Sequence, residues 1–231
     1  MIRKLLIFAL IAGAGVMFWY GVSDFEVKEE LNPVASFYAN EGFKDTGSAN
    51  IVTAVLVRYR GLDTLGEVSI LFLTASILGF FLIKGKNKET FRDSSEILKT
   101  ASRLLEPIIM IAGVYVFING HLSPGGGFQG GAILASALIL AYLANPADGI
   151  SERILKITES FSGLSFVIIG VLGIIFAAGF LDTSLLPAGS PGHLISAGVI
   201  PIIYIFIGLK VGAELAGIVT NLKHAPKTDS E

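Results

Sequence analysis

Four ionisable residues stand out in a chain otherwise rich in apolar runs. Asp63 and Glu67 are four positions apart at the start of the run Leu65–Ile83, and Lys210 and Glu214 are four apart deep inside the run Leu194–Asn221. A spacing of four places both members of each pair on one helix face. A charge at the bilayer centre costs about 2.5–3.5 kcal/mol on insertion scales, so such groups are functional candidates by default. Two carboxylates on one face can hold a cation between them, or one can retain a proton because its neighbour opposes a second negative charge. Alternatively, Asp63 and Glu67 are simply acids favoured by the positive end of a helix, or partners for Arg60. For Lys210 and Glu214 the simpler reading is a structural bridge in which each charge satisfies the other. The sharper one is a lysine that burial makes switchable.

A second candidate is the stretch Asn119–Gly131, with glycines at 120, 125–127, 130 and 131 and a proline at 124. Proline removes a donor and glycine carries the largest backbone entropy, so a helix does not continue through it. His121 within it titrates near neutrality if exposed, or merely caps a helix and holds a turn. The glycine N–H groups can form an anion nest. The preferred reading is that Pro124, Gly125, Gly126, Gly127, Phe128, Gly130 and Gly131 let two helices fold back and pack. Gly131, Ala132, Ala135, Ser136 and Ala137 would extend that packing face. Glu106 beside Pro107 is expected to open a helix, where both residue types are favoured.

The elements that position these residues follow from hydropathy. The 231 residues are 52% hydrophobic and only 16% charged, with a mean hydropathy of +0.71. Soluble domains run nearer a quarter charged, so the chain belongs in a membrane. Six runs approach the spanning length: Leu5–Val22, Leu65–Ile83, Leu104–Asn119, Phe128–Leu143, Leu164–Leu181 and Leu194–Asn221. The expected fold is all-α and polytopic, with six transmembrane helices. Twelve of the 17 basic residues, among them Lys84, Lys86, Lys88, Arg92, Lys223 and Lys227, fall on one side if both termini are cytoplasmic. Three parts are expected. Residues 1–86 hold two spans and an external linker that is acidic at Asp24, Glu26, Glu29 and Glu30. Residues 87–103 form a polar cytoplasmic connector, and 104–231 form a four-helix bundle.

The absence of cysteine excludes disulfides, iron–sulfur ligation and thiolate zinc sites. The three histidines, 121, 193 and 224, are too scattered for a metal motif, and no phosphate-cradling or dinucleotide fingerprint is present. No cofactor and no metal are therefore expected. A net charge of −2 argues against a nucleic-acid partner.

The run from Gly120-His121 through Pro124–Phe128 to Gly130-Gly131 resembles a signature of the B-type component of the Mrp-type multisubunit cation/proton antiporters. The stretches Ile195–Pro201 and Gly208–Leu215 are similar to the last span of that family, and the likeness covers about residues 92–221. The front of the chain resembles something else from such complexes. Asn50–Glu67 is similar to the C-terminal end of the large A-type component, and to a small component of archaeal membrane-bound hydrogenases. Arg58 departs from that pattern, which usually carries an acid.

The resemblance implies an accessory subunit of a sodium/proton antiporter module in the plasma membrane of a prokaryote. The module stands alone or is coupled to a hydrogenase-like or complex I-like redox arm. Its partners would be the other membrane subunits, and its ion-path candidates are Asp63, Glu67, Lys210, Glu214 and His121. The chain is not expected to be catalytic alone, since no nucleophile–base pair or cofactor motif appears. The alternatives are a scaffold that joins channel subunits without carrying ions, and a self-contained small transporter, which would need broken helices at the midplane.

Overall fold

The computed structural model describes residues 2–23, 30–82, 94–145 and 151–222. Asp24, Glu26, Lys28 and Glu29 of the linker lie outside the described residues, as do Lys84, Lys86, Lys88, Arg92, Lys223 and Lys227.

Apart from one isolated bridge between Gly189 and Ser196, regular structure among the described residues is helical. The helices are α1 (Ile2–Ser23), α2 (Pro33–Thr46), α3 (Ile51–Ala54), α4 (Gly61–Leu82), α5 (Glu96–Ile118), α6 (Gly127–Ala144), α7 (Glu152–Phe176) and α8 (Ile200–Leu222). Asn50 caps α3, its side chain accepting from the Val52 N–H at 3.1 Å. α3 runs into a π-helical turn, Val55–Tyr59, and the chain breaks at Arg60 before α4. The six spans are α1 and α4 to α8, each long and apolar enough to cross a bilayer.

Three helix starts differ from the sequence expectation, each for a physical reason. α7 begins at Glu152, well before Leu164. Its charged first turns look like loop to a hydropathy window. Yet Arg153 and Lys156 stay exposed while Leu155 on the opposite face packs against Ala213 and Ala216. α5 likewise begins at Glu96, where Ser95 accepts from the Leu98 N–H at 3.2 Å. Glu106 and Pro107 thus lie inside a helix rather than at its start. Neighbouring helices re-satisfy what a membrane proline frees. α8 begins at Ile200 rather than Leu194, because Ala197 and Gly198 both take φ of 61°, a left-handed pair that no helix accommodates.

The chain forms two compact units, Met1–Phe37 and Tyr38–Glu231. In the first, no described residue of α1 is buried. The second is organised around α8. Ile200, Ile203, Tyr204, Ile207 and Val211 form its core with Val57, Phe166 and Leu181.

α5, α6 and α8 approach so closely that their contact faces need glycine. A Cβ on Gly130 would stand 2.7 Å from the Gly113 carbonyl oxygen, and one on Gly131 would stand 2.7 Å from that of Gly208. Small residues permit such backbone approach between spans. Gly131, Ala135 and Ala137 are buried on this face, whereas Ala132 and Ser136 face outward, four apart on the other side of the helix.

Candidate functional site

Two of the buried charges, Lys210 and Glu214, lie one turn apart on α8 and are only 5% and 1% exposed. Their side chains form an ion pair between Lys210 Nζ and Glu214 Oε1. The ammonium also lies 5.0 Å from the centre of the Phe72 ring on α4, a cation–π contact. Its aliphatic stem passes Gly163 on α7, where a Cβ would fall 3.3 Å from Lys210 Cε. One oxygen is left over. Glu214 Oε2 is buried and has no hydrogen-bond partner among the described residues, an expensive state for a carboxylate oxygen.

Two cavities meet at this pair. One, of about 340 Å³, is walled by α4, α7 and α8 and reaches Glu214 from the side where α8 ends, past Thr220 and Asn221. The other, of about 320 Å³, reaches Lys210 between the first half of α4 and α7. Glu159 and Ser160 line both.

Asp63 and Glu67 are placed differently. Arg60 bonds the Asp63 carboxylate at 2.6 Å through both Nε and Nη2, on an exposed corner where α4 starts. Glu67 is also exposed, one turn further along α4. It has no hydrogen bond or ion pair to another described residue. The two acids therefore share a face, as the spacing requires, but the structure gives only one of them a partner.

The glycine loop is held from above by the segment before α4. The Asn50 amide donates to the carbonyls of Gly120 and Ser123 at 2.8 and 2.9 Å. The Thr53 hydroxyl donates to the Gly120 carbonyl at 2.6 Å and accepts from the Tyr204 hydroxyl at 3.0 Å. The Ser48 hydroxyl donates to the His121 carbonyl at 3.0 Å, and the Asn50 N–H reaches the same oxygen at 3.1 Å. Carbonyls that a glycine turn leaves open are thus occupied by protein. A Cβ on Gly127 would stand 2.6 Å from Ile207 Cβ, and Gly125 takes a φ of +137° beneath Val116.

His121 is fully buried, its Nε2 3.3 Å from the His193 carbonyl. Burial pushes its pKa down, opposed in part by the carbonyls of His193 and Ile118. Among the described residues, no group meets hydrogen-bonding geometry at its Nδ1.

One ion pair has no counterpart among the sequence expectations. Arg58, in the π-helical turn, pairs with Asp182 in the α7–α8 loop. Burial opposes ionisation of Asp182, but four donors outweigh it: the Ser184 N–H at 2.9 Å, the Ser184 hydroxyl at 2.7 Å, Arg58, and the Ala178 N–H at 3.0 Å. Its carboxyl is held below the usual range. The sequence does carry a signal for it, since Asp182 is the one acid between Glu159 and Glu214. Glu159 is the other residue that sequence reasoning misses, hidden in the charged start of α7.

An all-helical, six-span protein with buried charges on its central helix is an integral membrane protein. Comparison with known proteins gives the family. Residues 97–217 match the family described as a domain related to the MnhB subunit of Na+/H+ antiporter, and the chain belongs to that family. Residues 2–103 match the MbhE family, described as one of the subunits of MBH. An uncharacterised protein of Methanocaldococcus jannaschii is 30% identical over 198 residues, covering 72% of this chain and 74% of that one. A Staphylococcus aureus protein named as antiporter subunit mnhB2 is 33% identical over 94 residues, which is 39% of this chain and 67% of that one. A chain from the membrane-bound sulfane sulfur reductase, an archaeal respiratory membrane complex, superposes with a TM-score of 0.81. It is 40% identical, with 96% of this chain and 98% of that one covered. The protein is a multi-pass protein of the plasma membrane.

Proposed function

We propose that this chain is an accessory membrane subunit of a multisubunit sodium/proton antiporter module that sits within a respiratory complex and lines part of its ion route. The observation that carries the reading is the buried Lys210–Glu214 pair on the central helix, flanked by a cavity on either side. Charges at membrane depth are kept where ions or protons pass. Membership of the MnhB-related family and the 40% identity to a chain of an archaeal respiratory complex support the same assignment. Its partners are the other membrane subunits of that assembly. Both termini lie on the cytoplasmic face, the arrangement that puts Lys99, Arg103, Arg153 and Lys156 inside. The chain joins two parts, about 1–86 and 104–231, a division that the separate family matches to 2–103 and 97–217 support. The helix α5, which begins at Glu96, takes up the second half of the segment 87–103 between them.

A scaffold that carries no ion is favoured by one observation, the Arg60–Asp63 pair, which gives that acid a local structural partner. The test is neutralisation of the outer acids. Asp63→Asn and Glu67→Gln keep size and remove charge. On the ion-route reading, sodium-dependent proton movement in membrane vesicles falls at least tenfold, about 1.4 kcal/mol of barrier, in one of them with subunit content unchanged. Full transport by the double variant makes these acids structural.

A further inference from the structure

We propose that the cavity walled by α4, α7 and α8 is a binding site for one monovalent cation, held between Glu159 and the free oxygen of Glu214, and that a proton competes for it. This inference rests on the subunit reading above and deepens it. The site has a built anchor: Glu214 is 1% exposed, lines the cavity, and keeps Oε2 unpartnered while Oε1 is bound by Lys210. Glu159 lines the same cavity, has no ion pair among the described residues, and its carboxylate repels that of Glu214. Two carboxylates that repel across a cavity are what an oxygen-seeking cation relieves.

The charge balance sets the valence. α7 presents Glu152, Lys156 and Glu159, α8 presents Lys210 and Glu214, and α4 presents no charged group to the cavity. Glu152 and Lys156 approach each other to 3.9 Å, and Lys210 neutralises Glu214. Among the described residues, three carboxylates against two ammonium groups leave one negative charge. One monovalent cation or one proton neutralises it, whereas a divalent ion would leave an excess positive charge away from bulk water. Occupation by either excludes the other. The remaining coordination comes from hard oxygens: the Ser160 and Thr220 hydroxyls and the Asn221 amide line the same walls. A volume of about 340 Å³ leaves room for waters that complete the shell. Because the cavity opens where α4 and α8 end and α7 begins, the cation enters from that membrane face.

The test is equilibrium binding of radioactive sodium to the purified complex containing this chain, at neutral and at mildly acid pH. The wild type should bind one sodium more than either of two variants, and that sodium should be lost on acidification. Glu159→Gln removes the half-buried carboxylate and leaves the Lys210–Glu214 pair intact. Gly217→Leu fills the cavity without touching a charge, since a Cβ there meets nothing within 4 Å. Each is expected to weaken the site at least tenfold. Wild-type sodium stoichiometry and affinity in both variants overturns the proposal. If that result accompanies loss of transport in the Asp63 and Glu67 variants, the cavity is wrong and the subunit assignment stands. If transport also survives there, the cavity is wrong and Asp63 and Glu67 are structural as well, which leaves the scaffold reading.

Discussion

The imidazole of His121 sits buried among carbonyls, and that placement fixes how the glycine loop responds to acid. Burial holds its pKa below the ordinary value, so the folded protein refuses a proton that the unfolded chain accepts from about pH 6.5 downward. The stability present above that value is therefore lost as pH falls towards the folded pKa. Asp182 is also shifted down, but as an acid whose ordinary value is 3.8 it costs stability only in much stronger acid. The two windows are separate. Calorimetry of the complex should give a Tm that drops between about pH 7 and 5, and His121→Gln should flatten that drop with little change in transport. Parallel curves for variant and wild type would mean His121 does not set the acid response. At this scale the sequence is readable where partners are about one turn apart, as for Lys210 with Glu214 and Arg60 with Asp63. For Arg58 with Asp182 the sequence shows only an isolated acid, because a pair joining a helical turn to a distant loop leaves no periodic trace.

Between residues and fold lie helices whose contact faces are made of backbone. Gly127 opens α6 directly against Ile207, and an added side chain has no space to enter. Gly127→Val should overpack this crossing and cost about 1–3 kcal/mol, seen as low abundance of the subunit in the assembled complex. Gly126→Val meets the Tyr204 ring and Gln129 instead; its φ of 164° is ordinary extended backbone, so its cost comes from crowding alone. Normal abundance of the Gly127 variant would show that α6 and α8 separate more easily than the packing implies. The six spans are legible from hydropathy, and the glycine loop is legible as a turn. The starts of α5 and α7 are not, since polar first turns on an exposed face average out the apolar face behind them. The clamp of Ser48, Asn50 and Thr53 on that loop is also invisible in sequence, being made of hydrogen bonds between segments some 70 residues apart.

For the whole molecule the question is why a buried ion pair persists on the central helix. α8 packs against α4, α5, α6 and α7, and apolar residues there would complete the core at no greater cost. Replacing a buried ion pair by apolar groups of similar volume is often neutral or stabilising, by about 1–4 kcal/mol, so stability alone does not explain its presence. The double substitution Lys210→Met with Glu214→Leu removes both charges together and leaves no orphan. The most direct measurement is sodium-dependent proton transport in vesicles carrying this variant, with subunit content determined on the same preparation. The account predicts normal assembly with transport reduced at least tenfold. Normal assembly with full transport would contradict it, and would make the chain a scaffold whose central charges carry no ion.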